Sequence, residues 1–170
     1  GVDGFRLDTV NYYFHDIHLR SNPPLSRNDP APAVNPYEMQ DHIHDKNRPE
    51  NLAFLEELRA LLDRYDARMM VGEVGESGAK AVRLMADYTA GDMRLHMAYS
   101  FELLAPTYTA AHFRAAVEGF YAGAPDGCPC WAFSNHDVIR HASRWSGHGA
   151  HGDLARQAAA LLLSLEGSVC

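Results

Sequence analysis

The sequence predicts a parallel α/β fold, and three observations carry that prediction. Apolar segments suited to buried strands alternate with segments whose apolar residues recur at helical spacing, the pattern of strands joined by crossover helices. Three of the apolar segments run straight into a carboxylic acid: Val2-Asp3-Gly4-Phe5-Arg6-Leu7-Asp8, Met69-Met70-Val71-Gly72-Glu73 and Trp131-Ala132-Phe133-Ser134-Asn135-His136-Asp137. The 170 residues are 46% hydrophobic, a composition able to bury a core and unlike that of a disordered chain. Barrels of parallel strands gather their strand C-termini on one face, so Asp8, Glu73 and Asp137 are expected to converge.

The elements follow in order. Gly1-Val2 opens inside the first predicted strand, which ends at Asp8. Ser21 to Pro36 contains Pro23, Pro24, Pro30, Pro32 and Pro36, which lack the donors of a helix or an interior strand, so this is a long loop leaving an acidic strand end. It either walls a pocket or is a surface excursion. Leu55, Leu58, Leu61, Leu62 and Tyr65 recur at helical spacing behind Pro49, which suits a first turn. Arg68 to Gly72 is the second strand and Ala79 to Tyr88 a helix with Val82, Met85 and Tyr88 inward. A strand lies within Leu95 to Leu103, and the helix after Thr109 places Phe113, Val117, Phe120 and Tyr121 on one stripe. Pro129 to Ser134 is the third acidic strand and Leu154 to Leu165 the last helix, apolar enough to be covered on much of its circumference. A helix-to-strand turn begins at Gly167 to Cys170. Both ends therefore read as interior to a longer protein. Strand and helix alternate four times, which matches half of an eightfold barrel or most of a doubly wound sheet; periodicity does not choose.

Composition excludes several partners. The net charge of −7 and the absence of a Lys/Arg cluster argue against nucleic acid, and a small neutral ligand fits better. No apolar run approaches the roughly 18 to 20 residues that span a bilayer, and the start lacks the basic and apolar regions of a signal peptide. Cys128, Cys130 and Cys170 include no CxxC pair, which points to free thiols in a reducing, cytoplasmic setting. Cys128-Pro129-Cys130 lacks the further ligands of a metal site, and Cys130 is expected to begin a buried strand. His42-Ile43-His44 and His148-Gly149-Ala150-His151 match no strong metal spacing and are assigned to surface loops.

The acids suggest chemistry at a glycosidic bond. Two carboxylic acids in unequal environments can act as nucleophile and proton donor, and a third can hold the substrate or the developing cation. Arg6 lies two residues before Asp8, so both point to one face of an extended strand, where the guanidinium keeps the carboxylate ionised. A helix cap, or a merely structural pair, is the alternative. Glu73 follows apolar or small residues, and a dry setting would suit it to donate a proton, unless it is a solvent-facing loop residue between Gly72 and Gly75. Asn135-His136-Asp137 is a polar triplet at a matching strand end, whose His136 and Asp137 can bind sugar hydroxyls.

At these residues the chain resembles the α-amylase superfamily, glycoside hydrolase family 13, and within it the bacterial α-glucosidase and oligo-1,6-glucosidase branch. Gly1 to Asp8 resembles the signature region on barrel strand four, with Asp8 matching the nucleophile and Arg6 the invariant arginine. Glu73 matches the general acid/base on strand five. His136 and Asp137 match the substrate-binding histidine and the transition-state-stabilising aspartate on strand seven. The resemblance implies part of a (β/α)₈ TIM barrel: strands four to seven and the start of strand eight. Residues 1–170 would be the C-terminal half of the catalytic barrel, truncated at both ends and inactive alone, since an upstream signature is absent. It implies a retaining α-glucosidase acting on small neutral saccharides, with transglucosylation as a side reaction, and no cofactor or metal within this segment.

In this branch the residue after the nucleophile tends to separate linkages, and Thr9, a small hydroxyl residue where α-1,6 enzymes often carry Val, points to α-1,4. Tyr12-Tyr13-Phe14-His15-Asp16 resembles α-glucosidases that prefer short substrates such as maltose or sucrose, although core packing also explains some of these rings. An oligo-1,6-glucosidase, a sucrose isomerase, a trehalose-forming glucosyltransferase and a non-catalytic transporter subunit built on the same barrel remain the alternatives. Retention of Asp8, Glu73 and Asp137 argues against the last.

Overall fold

The computed structural model describes residues 1–26, 35–148 and 151–170, with the backbone alone at 148 and 151. Its strands are β1 (Gly4–Leu7), β2 (Met69–Val74), β3 (Met97–Ser100), β4 (Cys130–Trp131) and β5 (Ser168–Val169). All pairings between them are parallel: Arg6 stands beside Val71, Glu73 beside Tyr99, and Cys130 beside Ser168. A parallel bridge between Ala98 and Pro129 links β3 to the start of β4. Each strand thus lies next to its neighbour in sequence. A doubly wound sheet reverses strand order at a switch point, whereas a (β/α) barrel does not, so the winding is that of a barrel segment.

Helices α1 (Glu50–Leu62), α2 (Gly78–Thr89), α3 (Ala110–Gly123), α4 (His141–Arg144) and α5 (His151–Ser164) follow the strands. Alternation along β2 divides its side chains between two faces. Met70 and Val74 join Leu55, Met85, Tyr88 and Phe120 in the core under the helices. Val71 packs on the other face with Tyr99, Cys130 and Ala132. Gly72 is needed where β2 meets that core, because a Cβ there would lie 2.5 Å from Leu95 Cδ1.

Several expectations are corrected. β1 begins at Gly4, leaving Val2 and Asp3 outside the ladder. α1 ends at Leu62; the Tyr65 N–H turns back to the Leu62 carbonyl, and the ring, 61% exposed, leaves the predicted stripe. β4 spans two residues rather than Pro129 to Ser134. The Phe133 carbonyl accepts from Arg144 and the Ser134 hydroxyl from the His141 N–H, so α4, which the sequence did not suggest, diverts the end of this strand. α5 starts at His151 rather than Leu154.

In the proline-rich loop, Pro24 bridges antiparallel to Gln40 and the Leu25 N–H donates to the Met39 carbonyl at 2.9 Å. Pro30 and Pro32 lie outside the described residues, as do Gly149, Ala150 and the side chains of His148 and His151. His42 is not a solvated loop residue: its ring stacks on Tyr37 and its Nδ1 lies 2.9 Å from Asp45. The rings of Tyr13 and Phe14 pack edge-on against Phe54 of α1, with Tyr13 40% exposed. Tyr12 differs, with its hydroxyl bonded to Tyr37 and Lys46 over its ring.

Candidate active site

The site is assembled where β1, β2 and β3 end. Arg6 of β1 faces the same side as Asp8 and Glu73. Its Nη1 donates to Asp8, while its Nη2 lies 2.7 Å from Glu73 Oε1 and donates to the Tyr99 hydroxyl at 2.9 Å. Burial opposes the Arg6 charge, but the hydrogen bonds to Tyr99 and Asp8 and the charge of Glu73 raise its pKa overall. The same guanidinium, and after it the neighbouring Glu73 carboxyl, holds the Asp8 carboxyl below its ordinary value.

Glu73 is fully buried, at 0% exposure. The dry, apolar setting expected from its flanking sequence is not what surrounds it, because alternation sends Met70 and Val74 to the helix side. Oε1 accepts from Tyr99 at 2.7 Å and from Asn135 Nδ2 at 3.2 Å, besides its pairing with Arg6. Oε2 accepts the Thr9 N–H at 3.2 Å. Burial, and then its hydrogen bond to Glu73, push the Tyr99 phenol above the usual tyrosine range.

Thr9 reaches the site through its backbone. It adopts the left-handed region, with φ 37° and ψ 50°, a conformation that strains a β-branched residue by about 1–3 kcal/mol. The turn is held by Asn11, buried to 1%, whose Oδ1 accepts the Gly75 N–H at 2.9 Å and whose Nδ2 donates to Asn47 at 2.7 Å. Asn47 in turn donates to Glu76, which also pairs with Lys46 and Lys80. Asn11 therefore ties the turn after β1 to the turn after β2 and sets the two carboxyls relative to each other.

Asp137 and His136 form the open rim. Their side chains are 56% and 68% exposed, and His136 Nε2 lies 3.4 Å from Asp137 Oδ1. Asn135 connects this rim to the buried acid, since its Nδ2 also lies 3.4 Å from Asp137 Oδ2 and its Oδ1 accepts the Asp137 N–H. The structure thus brings Arg6, Asp8, Thr9 and Glu73 together through Arg6 and the Thr9 N–H, and links Asp137 to them through Asn135. Sequence reasoning missed Tyr99, Asn11 and the bridging part of Asn135. The register that sets Tyr99 beside Glu73 is the signal that would have found the first.

Comparison with known proteins agrees with this architecture. The alpha amylase catalytic-domain family matches residues 1–170. A probable alpha-glucosidase of Rhizobium meliloti (strain 1021) is 52% identical over 179 residues, covering 100% of this chain and 32% of the relative. The solved alpha-glucosyl transfer enzyme XgtA superposes with a TM-score of 0.87 at 47% identity, over 100% of this chain and 32% of its own. The trehalose-6-phosphate hydrolase TreA of Bacillus licheniformis, at 20% identity and a TM-score of 0.72 over 99% of this chain and 30% of its own, shares the fold. The chain spans about a third of the length of these proteins.

Proposed function

The chain belongs to the alpha-amylase family, as part of its catalytic domain, and on that premise we propose that the whole protein is a retaining α-glucosidase. It removes terminal α-1,4-linked glucose from maltose, maltooligosaccharides and sucrose, and also transfers glucosyl groups. In this reading residues 1–170 supply barrel strands four to seven and the start of strand eight. The observation that carries it is the single Arg6 guanidinium, which binds Asp8 through Nη1 and Glu73 through Nη2. Inversion needs carboxyls about 6.5–9.5 Å apart to admit a water, whereas retention needs them about 5–5.5 Å apart, and two carboxyls held by neighbouring nitrogens of one guanidinium support the closer arrangement.

Asp8, low in pKa and bound by Arg6, attacks the anomeric carbon. The bond to the leaving oxygen breaks, its electron pair stays on that oxygen, and the proton of Glu73 neutralises it. Glu73, now a base, takes a proton from water, which attacks the β-glucosyl ester and releases α-glucose and Asp8. A second sugar in place of water gives the transfer product, a reading supported by the likeness to an alpha-glucosyl transfer enzyme. Asp137 stabilises the cationic character of the transition state, and His136 binds sugar hydroxyls. Thr9 supports α-1,4 preference. Among the described residues no helix is long and apolar enough to cross a membrane. The free thiols Cys128, Cys130 and Cys170 support a reducing, cytoplasmic setting.

The test is to offer the whole protein maltose, sucrose and isomaltose and follow by NMR the anomer first released. Initial α-glucose from maltose or sucrose is expected. Initial β-glucose, or turnover of none of the three, contradicts the reading.

A further inference from the structure

The two oxygens of Glu73 are unequally occupied, and the inequality identifies both the oxygen that carries the proton and the residue that enforces the choice. Oε1 meets Arg6 Nη2 at 2.7 Å, the Tyr99 hydroxyl at 2.7 Å and Asn135 Nδ2 at 3.2 Å. Those donors come from β1, β3 and the segment after β4, so Oε1 is filled from three directions. Oε2 accepts the Thr9 backbone N–H at 3.2 Å. A carboxyl oxygen already surrounded by donors cannot also hold a proton aimed at a ligand, because its lone pairs are in use and the added hydrogen would face other hydrogens.

We propose that Tyr99 is a positioning residue that reserves Glu73 Oε1 as a hydrogen-bond acceptor and so directs the transferable proton to Oε2. This rests on the reading of Glu73 as the general acid/base. Tyr99 is suited to the task by its own restraint. It is buried in β3, in register with Glu73, packs beside Cys130 and Ala132, and has its oxygen engaged as an acceptor by Arg6. Its hydroxyl hydrogen therefore points at Glu73 Oε1, 2.7 Å away. Arg6 alone does not fix the carboxyl in this way, since it also serves Asp8. Without the phenol, the carboxyl can rotate and place its proton away from the leaving oxygen. Tyr99 is 2% exposed, so its loss acts through the groups that its hydroxyl holds, Glu73 and Arg6.

A leaving-group comparison separates this role from a merely structural one. The glucose expelled from maltose is a poor alkoxide leaving group that needs the proton, whereas α-glucosyl fluoride expels fluoride with little need of it. The ratio kcat/KM reports the first displacement for both. In the whole protein, Tyr99→Phe is expected to lower kcat/KM for maltose roughly ten- to a hundredfold, the size of a lost hydrogen bond to a charged group, through kcat with KM held. For α-glucosyl fluoride the value should stay within about twofold of the parent. Phe keeps the ring packing, and an unchanged melting temperature verifies that the variant folds. Equal losses on both substrates, or no loss on either, overturn the proposal. Glu73→Gln is run beside it. If Glu73→Gln is selective for maltose and Tyr99→Phe is not, the Tyr99 role alone is wrong; if Glu73→Gln itself lacks selectivity, the acid/base reading falls and this inference with it.

Discussion

Two buried carboxylates in this molecule are each gripped by an arginine, and they are built in opposite ways. Asp16, 3% exposed, fills both oxygens from residues within four positions: Arg20 binds it through its guanidinium, and the His18 and Arg20 N–H groups close the loop around it. Glu73 draws its donors from β1, β3, the turn after β1 and the segment after β4, and one oxygen is left lightly occupied. A carboxylate saturated by its own loop organises that loop. One gathered from distant segments, with capacity to spare, is organised by the fold for something that arrives later.

Substitutions can break this contrast. The largest effect is expected at the site: Glu73→Gln or Asp8→Asn should reduce turnover of maltose by several orders of magnitude, about 10³ or more, while circular dichroism and the melting temperature of the whole protein stay near the parent. Near-normal activity in both would end the proposed roles. Asp137→Asn, on the exposed rim, should cost about 10²–10³ in kcat with no loss of stability. Asn11→Ala leaves the buried Gly75 N–H without a partner and should cost about 1–3 kcal/mol, read as a lower denaturation midpoint. Activity should fall as well, because Asn11 joins the two turns that carry the acids.

At Asp16 the expected effect is on stability alone, and it depends on pH. Hydrogen bonds from Arg20 outweigh burial and hold this carboxyl well below its ordinary value of 3.8. A depressed folded-state value means that the stabilisation is complete above the ordinary value and is lost as pH falls through the lowered one. Arg20→Gln should therefore be less stable than the parent at neutral pH, and the difference should shrink on acidification below 3.8. Turnover per folded molecule should be unchanged; a loss of activity larger than the loss of folded protein would erase the contrast with Glu73. The smallest effect is expected at Thr9→Val, a shift in the ratio of isomaltose to maltose hydrolysis toward isomaltose, measured as relative kcat/KM. An unchanged ratio would remove Thr9 from linkage selection.

The acids were legible in the sequence because each ends an apolar run, a pattern that survives without knowledge of contacts. The Arg6 to Asp8 spacing was legible for a similar reason, since alternation in a strand sets both on one side. Tyr99 was not, because a tyrosine within Met97–Ser100 looks like any core aromatic until strand register sets it beside Glu73. Asn11 was hidden in a turn, where its type is common and its partners, Gly75 and Asn47, lie far along the chain. The parallel winding was readable from alternation of elements, but the choice between barrel and doubly wound sheet needed the strand order. The early end of β4 depended on Arg144 capturing the Phe133 carbonyl, a tertiary contact with no local signature.

The central claim, that Asp8 is the nucleophile of a covalent double displacement, is tested most directly by trapping the intermediate. Incubation of the whole protein with 5-fluoro-α-glucosyl fluoride, followed by proteolysis and mass spectrometry, should find one fluoroglucosyl group on the carboxylate of Asp8 and none in Asp8→Asn. A label on another residue, or no label from an enzyme that turns the reagent over, would contradict it.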